Sequence, residues 1–213
     1  MKNRIALICR TPDSLEQDDR IRKECISLKS SYDIFIFVLF EDNRAEEGMT
    51  SFGIKYKSFS LGSRKEENKG KSLLFKAYDF YKSVKPYLKG YDYIWLAEEY
   101  TFLFAVLLRH KRIIWDLHEL PSYMTARWVT TKLFHFIERK CYRIIHANNE
   151  RIDYLVTNGV IKYKEKHFVI HNYPDSIFIE SEYKGAKYDV FIKWLLGEEY
   201  VYLQGLDFGK RYP

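Results

Sequence analysis

The sequence predicts an α/β fold, a Rossmann-like parallel sheet with helices on both faces, and three observations carry that prediction. Short, near-continuous apolar runs, such as 4–9 "RIALIC" and 34–40 "IFIFVLF", have the length and β-rich composition of strands covered on both sides. Amphipathic stretches of helical period stand between them. The alternation then persists over about 170 residues, which means strand–helix–strand units and a parallel sheet rather than hairpins.

Taken in order, the strand at 4–9 leads into "DDRIRKECISLKSS", where Ile21, Cys25 and Leu28 fall on one helical face and Asp18 and Asp19 supply a cap and a first-turn acid. The strand 34–40 follows. Residues 52–61 "FGIKYKSFSL" alternate, as a half-exposed strand does, and 62–71 "GSRKEENKGK" is a charged, Gly-flanked loop. A stripe from Leu73 to Leu88 predicts a helix that Pro86 tightens or kinks near its end. Then come strand 91–97, helix 98–110, strand 111–116, a helix from about Pro121 to Cys141, strand 142–147, helix 149–157 and strand 166–172.

Composition excludes several classes. At 46% hydrophobic and 30% charged residues the chain is globular rather than disordered. Its net charge of +6 is spread without a Lys/Arg block, so it suggests attraction to anionic surfaces or phosphorylated ligands and does not indicate nucleic acid. "MKNRIALICR" is too short in apolar residues for a signal sequence, and no window reaches the ~18 apolar residues of a membrane span. Cys9, Cys25 and Cys141 are isolated and odd in number, which suits reduced thiols. The expectation is a cytoplasmic protein, with peripheral contact to an anionic membrane at the inner face as the compatible alternative.

In a sheet of this kind the strand carboxyl ends share one edge, and ligands bind just beyond it. The residues closing the strands are Arg10, Glu41, Glu98, Asp116 with His118, Asn148 and Asn172. Within "RIIWDLHELPSYM", Asp116 stands two residues before His118, so the two side chains share a face if the strand continues. A carboxylate beside an imidazole fixes one tautomer and favours the imidazolium, a donor suited to an alkoxide or phosphate oxygen. The plainer alternative is an Asp that caps a turn and a His satisfied by backbone. A zinc site on the "DLHE" pattern needs a further ligand and has no second His at i+4 as HExxH has, so no metal and no cofactor is expected. Asp19-Arg20 with Arg22 and Lys23 opens a helix toward the same rim, where an anion could meet helix amides; a solvated charged turn is the alternative. In "HANNERIDYL" one of Asn148 and Asn149 serves as N-cap and the other is left for a polyol hydroxyl. The loop "RTPDSLEQDD" has no dinucleotide fingerprint, and neither a P-loop nor a GxSxG elbow occurs.

After "HNYPDSIF" the chain changes character. Residues 179–199 read as a linker with a short helix, and "YVYLQG" starts a new strand that runs into "GLDFGKR". A strand at this position needs neighbours, so the expected organisation is a Rossmann-like domain over 1–178, a linker over 179–199 and, over 200–213, the start of a truncated second domain.

Six stretches, "DDRIRKECISLKSSYDIFIFVLF", "YDYIWLAEEY", "IIWDLHELP", "YRIIHANNERIDYL", "FVIHNYPD" and "YVYLQG", occur in the order and at about the spacing seen in the amino-terminal half of GT-B retaining glycosyltransferases of the GT4-like group, which the chain resembles. The resemblance implies an acceptor-binding domain paired with a second domain that binds a nucleotide sugar, with transfer to a glycan or lipid-linked acceptor in the cleft between them, and no required metal. It implies a catalytic role for His118, with Asp116 and Glu119 beside it. Arg10, Asp19, Arg20 and Glu98 would border the acceptor, Asn148, Asn149, Glu150 and Arg151 would form the inner wall, and Asn172 would lie near the hinge. Gly205, Gly209, Lys210 and Arg211 would begin the donor site. No E-x7-E motif and no nucleotide pocket follow "YVYLQGLDFGKRYP", so the chain by itself is expected to hold little catalytic capacity. A stand-alone binding module without chemistry is the alternative function.

Overall fold

The computed structural model describes residues 2–12, 14–65, 72–119 and 128–171. The expectations for Asn172, for the linker over 179–199 and for the strand and donor residues Gly205, Gly209, Lys210 and Arg211 lie outside the described residues.

The described unit is an eight-stranded sheet with five helices. In chain order these are β1 (Asn3–Thr11), α1 (Asp19–Leu28), β2 (Tyr32–Phe40), β3 (Glu47–Met49), β4 (Lys55–Ser58), α2 (Leu73–Val84), β5 (Tyr93–Ala97), α3 (Phe102–Leu107), β6 (Ile113–Leu117), α4 (Trp128–Lys140), β7 (Arg143–His146), α5 (Asn149–Thr157) and β8 (His167–Val169). The sheet order is β3-β4-β2-β1-β5-β6-β7-β8, parallel throughout except for β3, which pairs antiparallel with β4.

Alternation along β1 divides the core into two layers. Ala6 and Ile8 point to the face packed with Phe80 of α2, Phe104 of α3, Phe134 of α4 and Leu155 of α5. Ile5, Leu7 and Cys9 point to the face packed with Ile21 and Cys25 of α1. Strands buried on both faces explain why their sequences are runs of apolar residues rather than alternating ones. All three cysteines are buried free thiols, as their isolation in sequence predicts.

Several element boundaries differ from the sequence reading, each for a local reason. The strand expected over 52–61 shrinks to Lys55–Ser58. Gly53 turns with φ +82° before it, and the Ser58 hydroxyl is drawn into bonds with Arg44 O and Glu46 N. β3 went unread because three exposed residues carry no hydrophobic period; it is held as an edge strand, with Lys57 paired to Glu47. The helix expected over 98–110 splits into a 3₁₀ turn at Glu99–Thr101 and the short α3, and Leu108 is already extended. α2 does end at Val84, where Pro86 sits in a 3₁₀ turn over Lys85–Tyr87. α4 is described from Trp128, and the expected start near Pro121 lies outside the described residues.

The sheet reverses its direction of growth at β1: β2 follows on one side, β5 on the other. The crevice beyond the carboxyl ends of β1 and β5 is therefore the topological switch point, where open α/β sheets place ligands.

Candidate functional site

Three elements build the crevice wall. α1 starts with Asp18 as N-cap, its Oδ1 accepting from Ile21 N at 3.1 Å, and this cap fixes the phase that turns Arg20 inward. β6 carries Asp116 on the α1 face, fully buried. β5 ends at Ala97, and Glu98 follows as the N-cap of the next 3₁₀ turn.

Arg20 grips Asp116 with two bonds, Nε to Oδ2 at 3.0 Å and Nη2 to Oδ1 at 2.5 Å. Its Nε also meets Glu24 Oε1 at 3.1 Å, and Nη1 reaches the Ile170 carbonyl at 3.4 Å. His118 Nε2 lies 3.2 Å from Asp116 Oδ2, and His118 Nδ1 lies 3.6 Å from Glu98 Oε1. Burial alone would push the Asp116 carboxyl up; the bonds from His118, Glu24 and Arg20 outweigh it and hold it well below the usual carboxylate range. Burial would likewise push His118 down, but its bonds to Asp116 and Glu98 prevail and raise it to about 10. His118 is thus an imidazolium at neutral pH, its Nε2–H spent on Asp116 and its Nδ1–H facing the Glu98 carboxylate. Burial and then the neighbouring Asp116 push the Glu24 carboxyl well up.

The backbone at Glu98 is strained. Its φ of 68° and ψ of 166° belong to a region that glycine occupies and L side chains avoid. Four bonds hold it there: Glu98 N donates to Asp116 O at 2.8 Å, and the Glu98 carbonyl accepts from Trp115 Nε1 at 3.1 Å, Thr101 Oγ1 at 2.8 Å and Thr101 N at 3.3 Å. Strain maintained at the carboxyl end of a central strand is a mark of a site that needs a side chain where the chain would prefer glycine. Glu98→Gly is accordingly expected to be about 1 kcal/mol more stable than Glu98→Ala, which loses the same carboxylate contact with His118 but keeps the strain, the released ~1–3 kcal/mol being offset by the glycine's backbone entropy of ~0.5–1 kcal/mol. A urea midpoint for Glu98→Gly no higher than that of Glu98→Ala would show the conformation to be unstrained.

The sequence-predicted residues fare unequally. His118, Asp116 and Glu98 are brought together as one constellation. Arg20 is only 7% exposed and is the buried partner of Asp116. Asp19 is exposed and pairs with its helix neighbours Arg22 and Lys23. Arg10 is held at the rim by Glu41 at 3.0 Å, with its guanidinium 5.3 Å from the centre of the Tyr100 ring. Glu119 is exposed, and nothing among the described residues ties it to the network. Asn148 is the N-cap of α5, accepting from Arg151 N at 3.0 Å, and Asn149 and Glu150 are exposed in the first turn. Arg151 points back to the site, donating to the His118 carbonyl at 2.5 Å and so fixing the end of β6 from the other side of the sheet.

Sequence reasoning missed Glu24, the third carboxylate of the network, although an Arg–x–x–x–Glu pair flanking the apolar stripe of α1 is visible in the sequence. Ligand-capable atoms of Glu24, Asp116 and His118 lie within 4.8 Å of one another. The positive charge that such a cluster calls for is supplied by Arg20 and the His118 imidazolium, both of which would repel a cation.

A second buried chain was also missed, on the opposite face of the sheet. Glu138 of α4 accepts from Lys162 N at 2.9 Å, Tyr163 N at 2.5 Å and His167 Nε2 at 3.1 Å. His167 Nδ1 therefore accepts from His146 Nε2–H at 2.7 Å, and His146 Nδ1 is buried without a partner. Burial lowers His167 and takes His146 down to about 3. Both rings stay neutral in the fold while the unfolded chain takes up protons below about 6.5, so stability drains away as pH falls from there toward the folded value. The urea midpoint is expected to drop from neutral pH to about pH 4.5, and His146→Leu to flatten that drop. A variant as acid-sensitive as the parent would contradict this assignment.

An open, almost wholly parallel sheet, wound both ways from β1 and with a charged crevice at the switch point, is the architecture of a Rossmann-like half of a GT-B fold. Solved structures similar to it include a sucrose-phosphate synthase from Thermosynechococcus elongatus, with a TM-score of 0.56 and 13% identity over 83% of this chain and 51% of that one. An α,α-trehalose-phosphate synthase (UDP-forming) from Burkholderia vietnamiensis gives a TM-score of 0.56 and 14% identity over 92% and 55% of the two chains. A UDP-N-acetylglucosamine 2-epimerase gives 0.57 and 10% over 89% and 55%. The chain spans about half the length of these structures. No protein-family model matches it, and no curated protein matches it in sequence. No helix among the described residues is long and apolar enough to cross a membrane.

Proposed function

We propose that this unit is the acceptor side of a glycosyltransferase, one that moves a sugar from a nucleotide-sugar donor to a glycan or lipid-linked acceptor. In this reading the enzyme belongs to the GT4-like group, retains anomeric configuration, works at the cytoplasmic side of the cell and serves cell-surface polysaccharide assembly. The observation that carries the proposal is the pairing of His118 and Glu98 at the switch point: an imidazolium donor and a carboxylate acceptor 3.6 Å apart, backed by a buried ion pair.

A sugar hydroxyl is both donor and acceptor, and this pair answers both halves. Its oxygen would accept from His118 Nδ1–H while its proton is given to Glu98, displacing the long contact between the two. Asp116 spends His118 Nε2–H and thereby leaves Nδ1–H as the ring's one outward donor. Arg20 and Glu24 act through Asp116 and are positioning residues. The likeness to two sugar-phosphate synthases supports the class of ligand; the epimerase, of similar fold, is the reason the chemistry is proposed from the site and not from the fold.

The test is transfer of radiolabel from nucleotide sugars by the natural protein that contains this chain, presented with membrane and glycan extracts. Labelled glycan or glycolipid is expected. Binding of an acceptor saccharide without any transfer would favour the alternative, a stand-alone Rossmann-like binding module.

A further inference from the structure

A patch of apolar side chains faces water on α2, which packs on the side of the sheet opposite α1. The helix is held by one stripe, Ala77, Phe80, Tyr81 and Val84, buried in the core. That stripe accounts for the packing of the helix. It does not account for Leu73 and Leu74, each 59% exposed, Phe75 at 44% and Tyr78 at 51%, four large apolar groups within six residues. Single exposed hydrophobic residues are ordinary on a protein surface, whereas a run of them on one helix marks an interaction face.

Positive charge gathers around the same stretch. From Arg64 to Lys85 the sequence has seven Lys or Arg against three Asp or Glu, so four of the chain's six net positive charges belong to this short segment. Asp79 is the one acid of α2, and its Oδ2 accepts from Ser63 N at 3.0 Å, which ties the helix to the turn that leads into Lys65. Lys65, Lys82 and Lys85 are exposed, and none of them forms an ion pair with a carboxylate among the described residues. Lys85 Nζ lies 5.6 Å from the centre of the Tyr81 ring, a contact that leaves its charge in place. Leu74, Tyr78 and Lys82 recur at steps of four, so apolar groups and a cation share one side of the helix.

This pairing of exposed apolar groups with lysine selects the partner. Protein interfaces are depleted in lysine. An anionic bilayer favours it, by about fivefold in partitioning for each Lys near the surface, and the lysine stem lies along the apolar boundary while its ammonium reaches the headgroups. We propose that α2 is an interfacial helix that docks the protein on an anionic membrane, with Leu73, Leu74, Phe75 and Tyr78 entering the boundary between headgroups and acyl chains and Lys65, Lys82 and Lys85 meeting the lipid phosphates. Docking uses no residue of the crevice, so it does not depend on the glycosyltransferase reading.

The test sediments the 213-residue chain with vesicles of phosphatidylcholine, alone or mixed with phosphatidylglycerol. Binding to the mixed vesicles is expected, weakened by salt and weaker still on phosphatidylcholine alone. Leu74 and Tyr78 are exposed, so L74Q/Y78Q keeps the fold, which far-UV circular dichroism verifies, and partitioning onto the mixed vesicles should fall roughly tenfold or more. K82Q/K85Q should fall by a similar factor on the mixed vesicles and match the parent on phosphatidylcholine. Met49→Gln, which removes a comparably exposed apolar group from β3, and His118→Ala should both partition as the parent does. No sedimentation with mixed vesicles, full binding by L74Q/Y78Q, or equal binding of the parent to both kinds of vesicle overturns the proposal. So does a concentration-dependent dimer that L74Q/Y78Q abolishes in a chain indifferent to vesicles, because the face would then belong to a second copy.

Discussion

Arg20→Met is expected to cost about 3–5 kcal/mol of stability, because it leaves a buried carboxylate without its main counter-charge. Asp116 has no solvent exposure and Arg20 almost none, so neither charge can fall back on water. The pair also joins α1 to β6 across 96 residues of sequence, and through the Ile170 carbonyl it reaches the segment after β8. Asp116, with its carboxyl depressed, contributes stability that is present above the ordinary carboxyl value of about 3.9 and disappears as pH falls below it. The Arg20→Met variant should therefore lose part of its acid dependence as well as its stability. Replacing both partners, as Arg20→Met with Asp116→Leu, is expected to recover only part of the loss, since the apolar pair needs no counter-charge but His118 and Glu24 lose the bonds they made to it. Urea unfolding of the two single variants and the double variant checks this. A single variant within about 1 kcal/mol of the parent would mean that the pair is not desolvated.

Under the proposed transferase function, His118→Ala is expected to lower turnover by about 10–1000-fold, the range for a positioned polar donor lost where water is excluded. The fold should register the change too. His118 is only 14% exposed in its side chain and donates to a buried carboxylate, so a loss of roughly 1.5–3 kcal/mol at neutral pH accompanies the activity. Because its pKa is raised, that contribution is full below about 6.5 and is lost as pH climbs through about 10. The two effects separate with pH and with His118→Gln, which keeps a donor but not the charge. Unaltered specific activity in whatever fraction of His118→Ala still folds would end the catalytic reading.

Much of the fold was legible because burial on both faces of a parallel sheet writes itself as uninterrupted apolar runs, and Asp18 wrote the start of α1. The breaks were less legible. β3 has no period to read, and the 3₁₀ turn that precedes α3 follows Glu98, whose positive φ no residue type announces. In the site, His118 and Asp116 were readable by their spacing at a strand end. The burial of Arg20 was not legible, because Asp19, Arg20, Arg22 and Lys23 form a run that looks solvated, and only helix phase separates the one that turns inward from those that do not. The buried chain His146, His167 and Glu138 left a signal that was passed over: a histidine inside an apolar strand needs a partner, and two such strands, "YRIIHA" and "KHFVIHN", stand side by side in the sheet.

The proposed role of His118 requires a held imidazolium, one ring donor on Asp116 and the other facing Glu98. Nitrogen-15 NMR of the His118 ring across pH tests that most directly. Both ring nitrogens are expected to remain protonated as pH passes the ordinary imidazole value of about 6.5, with titration displaced toward about 10. Titration of His118 near 6.5, with one ring nitrogen bare at neutral pH, would contradict it.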